Sequence, residues 1–165
     1  MHIGWVARLE PSRRTALAIR IQSQIQTRRG RELFGRESFV FDASSGERRE
    51  LPFDPYLTLP VDLNGDGLHE LVRGGAHDGG GSGEVLDGRG KVLGSVGGQT
   101  ILISKVLDRP GEQTMTFTAE GTVHLWADLE AEDTDEAQAR YASPFYRVNQ
   151  RFSACPGNLK VLGGI

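Results

Sequence analysis

The sequence predicts an all-β domain, and three observations lead to that class. The chain has 165 residues, which is about the length of one domain. It contains 22 glycines and 7 prolines, more turn-forming residues than a helical bundle of this size requires. Several short segments alternate apolar with polar residues, a period typical of half-buried strands. We therefore expect short antiparallel strands joined by tight turns.

Composition excludes several classes of function. The 19 basic and 22 acidic residues give a net charge of −3, which argues against a nucleic-acid partner. No run of about 18 apolar residues is present, so no membrane span is expected. The single cysteine, Cys155, excludes an internal disulfide. The first twenty residues contain five charged side chains and no continuous apolar segment, so no signal peptide is expected in this chain.

The strands can be assigned in order from local patterns. Residues 2–9 mix β-branched and aromatic side chains, and residues 15–22 alternate, although their composition also permits a helix. Further strands are expected at 38–42, 47–51, 84–87, 91–94, 100–106, 114–118 and 122–126, and one begins at Glu70.

Two other segments have distinct compositions. Three prolines in residues 52–60 predict a connection or an edge segment. The acidic segment 127–140 is interpreted as an exposed loop, with a helical turn as the alternative.

A weak repeat runs through the chain. Glu70 and Glu112, which begin strands, lie 42 positions apart, and the turn residues Asp87 and Asp128 lie 41 apart. Asp42 and Asp87 lie 45 apart. This period is typical of propeller blades. It predicts a partial β-propeller of about three to four blades, in units of roughly 1–60, 61–103 and 104–165.

The motif with the clearest chemistry runs from residue 62 to residue 72. Asp62, Asn64 and Asp66 occupy positions one, three and five of a loop, and Glu70 occupies position nine. Such oxygen side chains can converge on a hard cation, and the backbone carbonyl of Leu68 can add a ligand. The pattern predicts a Ca²⁺ site; the alternative is a polar turn without an ion.

The loop is not an EF-hand, because position twelve is Arg73 rather than glutamate and the following glycines exclude an exit helix. The stretch Asp-Leu-Asn-Gly-Asp-Gly-Leu-His-Glu-Leu-Val resembles the calcium-binding repeat of the FG-GAP family, found in the integrin α-subunit propeller and in bacterial surface proteins. That resemblance implies a propeller with cations in its loops. It also implies Asp62, Asn64, Asp66 and Glu70 as side-chain ligands and Leu68 as a carbonyl ligand.

The corresponding stretch one period later, residues 104–112, keeps Asp108 and Glu112 but lacks the first two ligands, so it is interpreted as a degenerate blade start. The sequence of this stretch, together with Gly-Thr-Val-His-Leu-Trp-Ala-Asp after it, is similar to the closing blades of rhamnogalacturonan lyase-like proteins. This second resemblance implies the C-terminal fragment of a polysaccharide lyase. A third alternative is a carbohydrate-binding module that uses Trp126 and Tyr141.

We assign no catalytic residues, because no acid–base constellation stands out in the sequence. The leading hypothesis is a non-catalytic, calcium-binding module for interaction with a protein or glycan partner, in a secreted or cell-surface protein. Since a propeller closes only when its first and last blades meet, three to four blades predict a fragment of a longer protein. Its open sheet edges are then expected to favour self-association.

Overall fold

The computed structural model describes residues 2–20, 38–56, 58–73 and 83–153. These residues form three small antiparallel sheets and two short helices. The all-β prediction is therefore confirmed in its coarse form, a mostly β molecule. Within the described residues no sheet closes on itself, and the propeller arrangement stays a prediction.

Sheet 1 is a four-stranded meander in which each strand pairs with the next. Its strands are β1 (His2–Glu10), β2 (Arg13–Arg20), β3 (Ser38–Asp42) and β4 (Arg48–Arg49). The turn between β3 and β4 forms because the Asp42 carboxylate accepts the backbone N–H groups of Ser44 and Ser45. The register pairs Trp5 with Leu17 and Leu17 with Val40, which places three core side chains on one face.

Sheet 2 repeats this arrangement. Its strands are β5 (Thr58–Val61), β6 (Glu70–Arg73), β7 (Glu84–Leu86) and β8 (Val92–Ser95). β5 lies at the edge of the sheet, where Pro60 is tolerated because an edge strand does not need every backbone donor. The prediction of a connection or edge segment over 52–60 is thus confirmed for its last residues.

Sheet 3 has three strands in the order β11–β10–β9. They are β9 (Gln99–Ser104), β10 (Gln113–Phe117) and β11 (Val123–Trp126). The first strands of the three sheets lie side by side, because β1 contacts β5 and β5 contacts β9.

Two hydrophobic cores lie between successive sheets. The first joins sheets 1 and 2 and includes Trp5, Leu17, Val40, Leu71 and Leu86. The second joins sheets 2 and 3 and consists of Val61, Val72, Val85, Val96 and Ile103. Each sheet alone is too small to bury its apolar face, so packing on a neighbour supplies most of the hydrophobic stabilisation.

The second helix was not predicted. For residues 127–140, the preferred interpretation as an exposed acidic loop is wrong over the last six residues, where the alternative, a helical turn, is closer to the structure. Helix α1 spans Asp135–Ala142 and helix α2 spans Pro144–Ser153. Thr134 caps α1 by accepting the backbone N–H of Ala137, and two acidic residues occupy the first turn, where the helix dipole favours negative charge. No helix in the described part of the chain is long and apolar enough to cross a membrane.

Successive sheets are joined by the same reciprocal pair of hydrogen bonds, which we call a junction. At the first junction the Arg8 N–H donates to His69 Nδ1 (3.1 Å), and the His69 N–H donates to the Arg8 carbonyl (2.7 Å). At the second, the Asp62 N–H donates to Glu112 Oε2 (2.8 Å), and the Glu112 N–H donates to the Asp62 carbonyl (2.6 Å). His69 and Glu112 each directly precede the second strand of their sheet.

Helix α2 occupies the corresponding place on sheet 3. Lys105 directly follows β9, and its N–H donates to the Tyr146 hydroxyl oxygen (2.9 Å). The Lys105 carbonyl accepts from Gln150 Nε2 (2.9 Å). Two side chains of α2 thus bind the backbone N–H and carbonyl of Lys105, as a residue of the following sheet does at the first two junctions. We call this contact the third junction.

Candidate cation site

The predicted cation loop lies between β5 and β6, and its own side chains shape it. Asp62 Oδ1 accepts from the Gly65 N–H (2.9 Å) and Asp62 Oδ2 from the Gly67 N–H (3.2 Å). Asn64 Oδ1 accepts from the Asp66 N–H (2.9 Å). The chain folds back at Gly65, which has a φ of 77° and lies so close to Asp133 and Glu132 that a Cβ atom would overlap them.

The five predicted ligands are all in or directly after this loop, at different depths. Asp62 is fully buried, Glu70 is 7% exposed and Asp66 is exposed. Glu70 Oε2 accepts from the Leu63 N–H (2.9 Å), and Asp66 Oδ1 accepts from the Leu68 N–H (2.7 Å). No group of three or more histidine, cysteine, aspartate or glutamate side chains among the described residues is arranged to hold a metal ion.

A guanidinium group contacts the first predicted ligand. Arg140 of helix α1 forms an ion pair with Asp62 Oδ2, and the Tyr141 hydroxyl donates to the same oxygen (3.1 Å). Arg140 Nη1 also donates to the Gly67 carbonyl (3.3 Å). The positive charge beside Asp62 is therefore supplied by the chain itself.

The segment that leads into α1 covers the rest of the loop. The Glu132 N–H donates to the Asn64 carbonyl (3.1 Å), and the Thr134 N–H donates to the Gly65 carbonyl (2.9 Å). Asp133 accepts from the Gly111 N–H (2.7 Å) and pairs with Lys105 (2.6 Å). The loop therefore joins sheet 2 to both sheet 3 and helix α1.

Burial sets the protonation of the acidic groups. Burial and, to a smaller extent, the nearby carboxylates of Asp62 and Asp66 together raise the pKa of Glu70 to about 7. Burial also raises the pKa of Asp62, against the opposing effect of Arg140. Four donors converge on Asp62, so we expect it to be ionised at neutral pH.

Glu112 completes the buried charge cluster. Its pKa is raised by desolvation, and its Oε1 accepts from the Tyr146 hydroxyl (2.6 Å). The pKa of Arg140 is raised although burial opposes its charge, because the carboxylates of Glu112 and Asp62 favour the guanidinium form. Asp62, Glu112 and Arg140 thus form one buried network of two acids and one base.

The chemistry of the loop fits a hard cation only in part. Its side-chain donors are all oxygens, as Ca²⁺ prefers, and within the described residues neither Asp66 nor Glu70 forms an ion pair. Asp62, by contrast, already has a cationic partner. A metal ion that used Asp62 Oδ2 would compete with Arg140.

Sequence reasoning identified the loop and missed what packs against it. The sequence repeat aligns Glu112 with Glu70. The junction hydrogen bonds show instead that Glu112 is structurally equivalent to His69, one position earlier. The sequence around Arg140 does not indicate its role, because no local feature of an arginine in an acidic segment predicts contact with a carboxylate 78 positions away. Thr134 followed by two acidic residues is a helix-start pattern that could have located α1.

The remaining candidates differ in exposure. In the stretch 104–112, Asp108 is exposed and Glu112 is buried in the network. The Trp126 indole N–H donates to Thr116 Oγ1 (3.0 Å). The Lys105 ammonium lies 4.3 Å from the centre of the Tyr141 ring and covers one face of it. Cys155 lies outside the described residues.

Comparison with known proteins adds no relative: the chain matches no protein-family model, and neither the curated proteins nor the solved structures contain a significant match.

Proposed function

We propose that this chain is a calcium-binding, non-catalytic β-sheet module that serves interaction or scaffolding, with an FG-GAP-like propeller arrangement. The observation that carries the proposal is the loop between β5 and β6. The loop and the strand residue after it supply three carboxylates, those of Asp62, Asp66 and Glu70. A guanidinium from outside the loop, that of Arg140, pairs with Asp62. Asp66 and Glu70 form no ion pair in the described part of the chain. Burial is the main cause of the raised pKa of Glu70, and the neighbouring carboxylates Asp62 and Asp66 add to it.

A bound Ca²⁺ would supply the missing positive charge. Asp66 and Glu70 would hold it with Asn64 and the Leu68 carbonyl, and Asp62 would contribute where it is released from Arg140. Calcium accepts six to eight oxygen ligands in irregular geometry, so water would complete the shell. The role of the chain's own residues is to hold these oxygens on one rigid turn between two strands.

The sheet architecture supports the interaction role. Each outer strand leaves one edge unpaired among the described residues, and two of these strands carry exposed apolar side chains. Val92 and Leu93 on β8 are each 53% exposed, and Val123 on β11 is 59% exposed. Such edges pair readily with a protein partner or with a second copy. A secreted or cell-surface location is part of this proposal, since millimolar calcium would be available there.

The test is a calcium titration followed by thermal unfolding. At a calcium concentration about 100-fold above Kd, binding adds about 2.7 kcal/mol of stability, which corresponds to roughly 5–10 °C in Tm. Asp66→Asn is the informative variant because Asp66 is exposed and contacts only its own loop. It should abolish the calcium shift and leave the calcium-free Tm nearly unchanged.

Asp87→Asn is the matched control. Asp87 also accepts backbone N–H groups in a turn, those of Arg89 and Lys91, but it lies outside the loop. An equal calcium shift in the parent and in Asp66→Asn would refute the assigned site, and no shift in the parent would refute calcium binding. Asp62→Ala is unsuitable, because loss of the Arg140 partner would destabilise the protein with or without calcium.

A further inference from the structure

A cavity of about 270 Å³ lies between sheet 1, the loop before β6 and helix α1. Its charged and polar lining comes from Arg8 on β1, Arg14 on β2, His69, Glu136 and Arg140 on α1, and Ser143 directly after α1. Three of these side chains are arginines and one is acidic. The cavity is thus a recess with more basic than acidic side chains in its lining, and no carboxylate proposed as a calcium ligand belongs to that lining.

Two buried N–H groups of this lining have no acceptor among the described residues. His69 is 3% exposed, and its Nδ1 accepts from the Arg8 N–H, so Nε2 carries the proton and is left as a donor. Arg140 Nε is the second buried donor without a partner. Buried polar groups are normally paired, so two such donors on residues that line one cavity call for an acceptor.

The charges of the recess are only partly balanced. Arg8 forms an ion pair with Glu136, and Arg140 forms one with Asp62. Arg14 is exposed and forms no ion pair in the described part of the chain. A water molecule could accept from the two buried donors. An anion would accept from them as well and would also pair with Arg14 at the surface.

We propose that this recess binds a small molecule through an oxyanion group, a phosphate or a carboxylate, which accepts hydrogen bonds from His69 Nε2 and Arg140 Nε and pairs with Arg14. Arg14 lies at the rim and attracts the anion, and the two buried donors orient it. None of the three groups is itself a proposed calcium ligand, although Arg140 also pairs with Asp62, so the test is made in calcium-free buffer.

The test follows the His69 imidazole by ¹H–¹⁵N NMR while inorganic phosphate is added, in calcium-free buffer with sodium chloride at matched ionic strength as the reference. We expect a saturable shift of the Nε2 resonance with a Kd of about 1 mM or tighter. A parallel titration with sodium acetate distinguishes the two sources of the oxyanion: saturation by phosphate alone identifies a phosphate site, and saturation by acetate alone identifies a carboxylate site.

Arg14→Gln is the main variant, since an exposed arginine without an ion pair can be replaced with little effect on folding. It should weaken phosphate binding about tenfold, the value of one charge-assisted hydrogen bond, and Arg14→Lys should recover part of the loss. Arg89→Gln, in the turn between β7 and β8, is the matched control and should bind as the parent does. Absence of a saturable shift with either anion, or equal affinity in Arg14→Gln and the parent, would overturn the proposal.

Discussion

At the scale of single residues, Asp62 has two structural roles, whereas the sequence motif predicts only one, that of a cation ligand. Its backbone forms the second junction, and its carboxylate joins the turn to Arg140. Replacing Arg140 with methionine leaves Asp62 and Glu112 buried without a counter-charge. Breaking a buried pair in this way costs about 3–5 kcal/mol, so we expect Arg140→Met to lower the free energy of unfolding by that amount in urea denaturation.

The same prediction has an internal control. The double variant Asp62→Asn/Arg140→Met removes one charge of each sign and should recover much of the loss, since a buried pair is replaced by neutral groups. Arg147→Met, at an exposed position of α2, should stay within about 0.5 kcal/mol of the parent. A single Arg140→Met variant as stable as Arg147→Met would show that the ion pair contributes nothing.

Glu70 and His69 predict opposite dependences of stability on pH. The pKa of Glu70 is raised from 4.5 to about 7, so the native state holds this proton more tightly and stability falls as pH rises across that interval. The pKa of His69 is lowered from 6.5 to about 3, so stability rises with pH over that range. Glu70→Gln removes the first effect only.

Between pH 4.5 and 6.5, the free energy of unfolding of Glu70→Gln should therefore rise with pH more steeply than that of the parent. The difference in slope is at most about 1.4 kcal/mol per pH unit, the value for one proton. Denaturant unfolding at several pH values measures it, with Glu47→Gln in an exposed turn as the control. Parallel curves for the parent and Glu70→Gln would contradict the raised pKa.

At the scale of elements, helix α2 takes the place of a neighbouring sheet. The Tyr146 hydroxyl donates to Glu112 and accepts from the Lys105 N–H. Tyr146→Phe leaves both groups buried without this partner, which should cost about 1–3 kcal/mol. Exchange of the Lys105 amide hydrogen should accelerate more than that of the preceding β9 amides, whereas Phe145→Leu at an exposed position should leave it unchanged. Unaltered Lys105 exchange in Tyr146→Phe would refute this role.

The elements also show which features the sequence predicts. The hairpins at residues 84–95 and 113–126 follow from local rules, because a glycine in each turn and β-branched residues on either side specify the structure over a few positions. A helical turn was only the alternative for the α1 segment, because its acidic residues suggested an exposed loop, although Arg140 and Ala137 are buried. Its burial depends on a loop about seventy residues earlier, which no local pattern encodes.

At the scale of the whole molecule, close contact between sheets depends on glycine. Gly111 has a φ of 70°, and a Cβ atom there would overlap the Leu63 carbonyl oxygen. Gly46 has a similar φ of 74°, with nothing within 4 Å of such an atom. Gly46→Ala should therefore cost only the backbone strain, about 1–2 kcal/mol.

Gly111→Ala has the same strain and must also separate sheet 3 from the loop, which adds about 1–3 kcal/mol. Comparison of the two variants by urea denaturation isolates the packing cost, because the backbone penalty is common to both. If both variants lose the same free energy of unfolding, sheet 3 and the loop can move apart without a packing cost. The sequence presents both positions as turn glycines, so this distinction required the three-dimensional contacts.

The junctions also bear on the order in which a growing chain can fold during synthesis. They join residues 61, 50 and 41 positions apart, each between one sheet and the element that follows it. Every junction can therefore form as soon as the next element has left the ribosome, since domains and their parts fold from the N-terminus as they emerge. The Arg140–Asp62 contact spans 78 positions and must wait until all three sheets have emerged. Until then the Asp62 carboxylate lacks its Arg140 partner, and the nascent sheets are held together by the first two junctions and by their apolar faces.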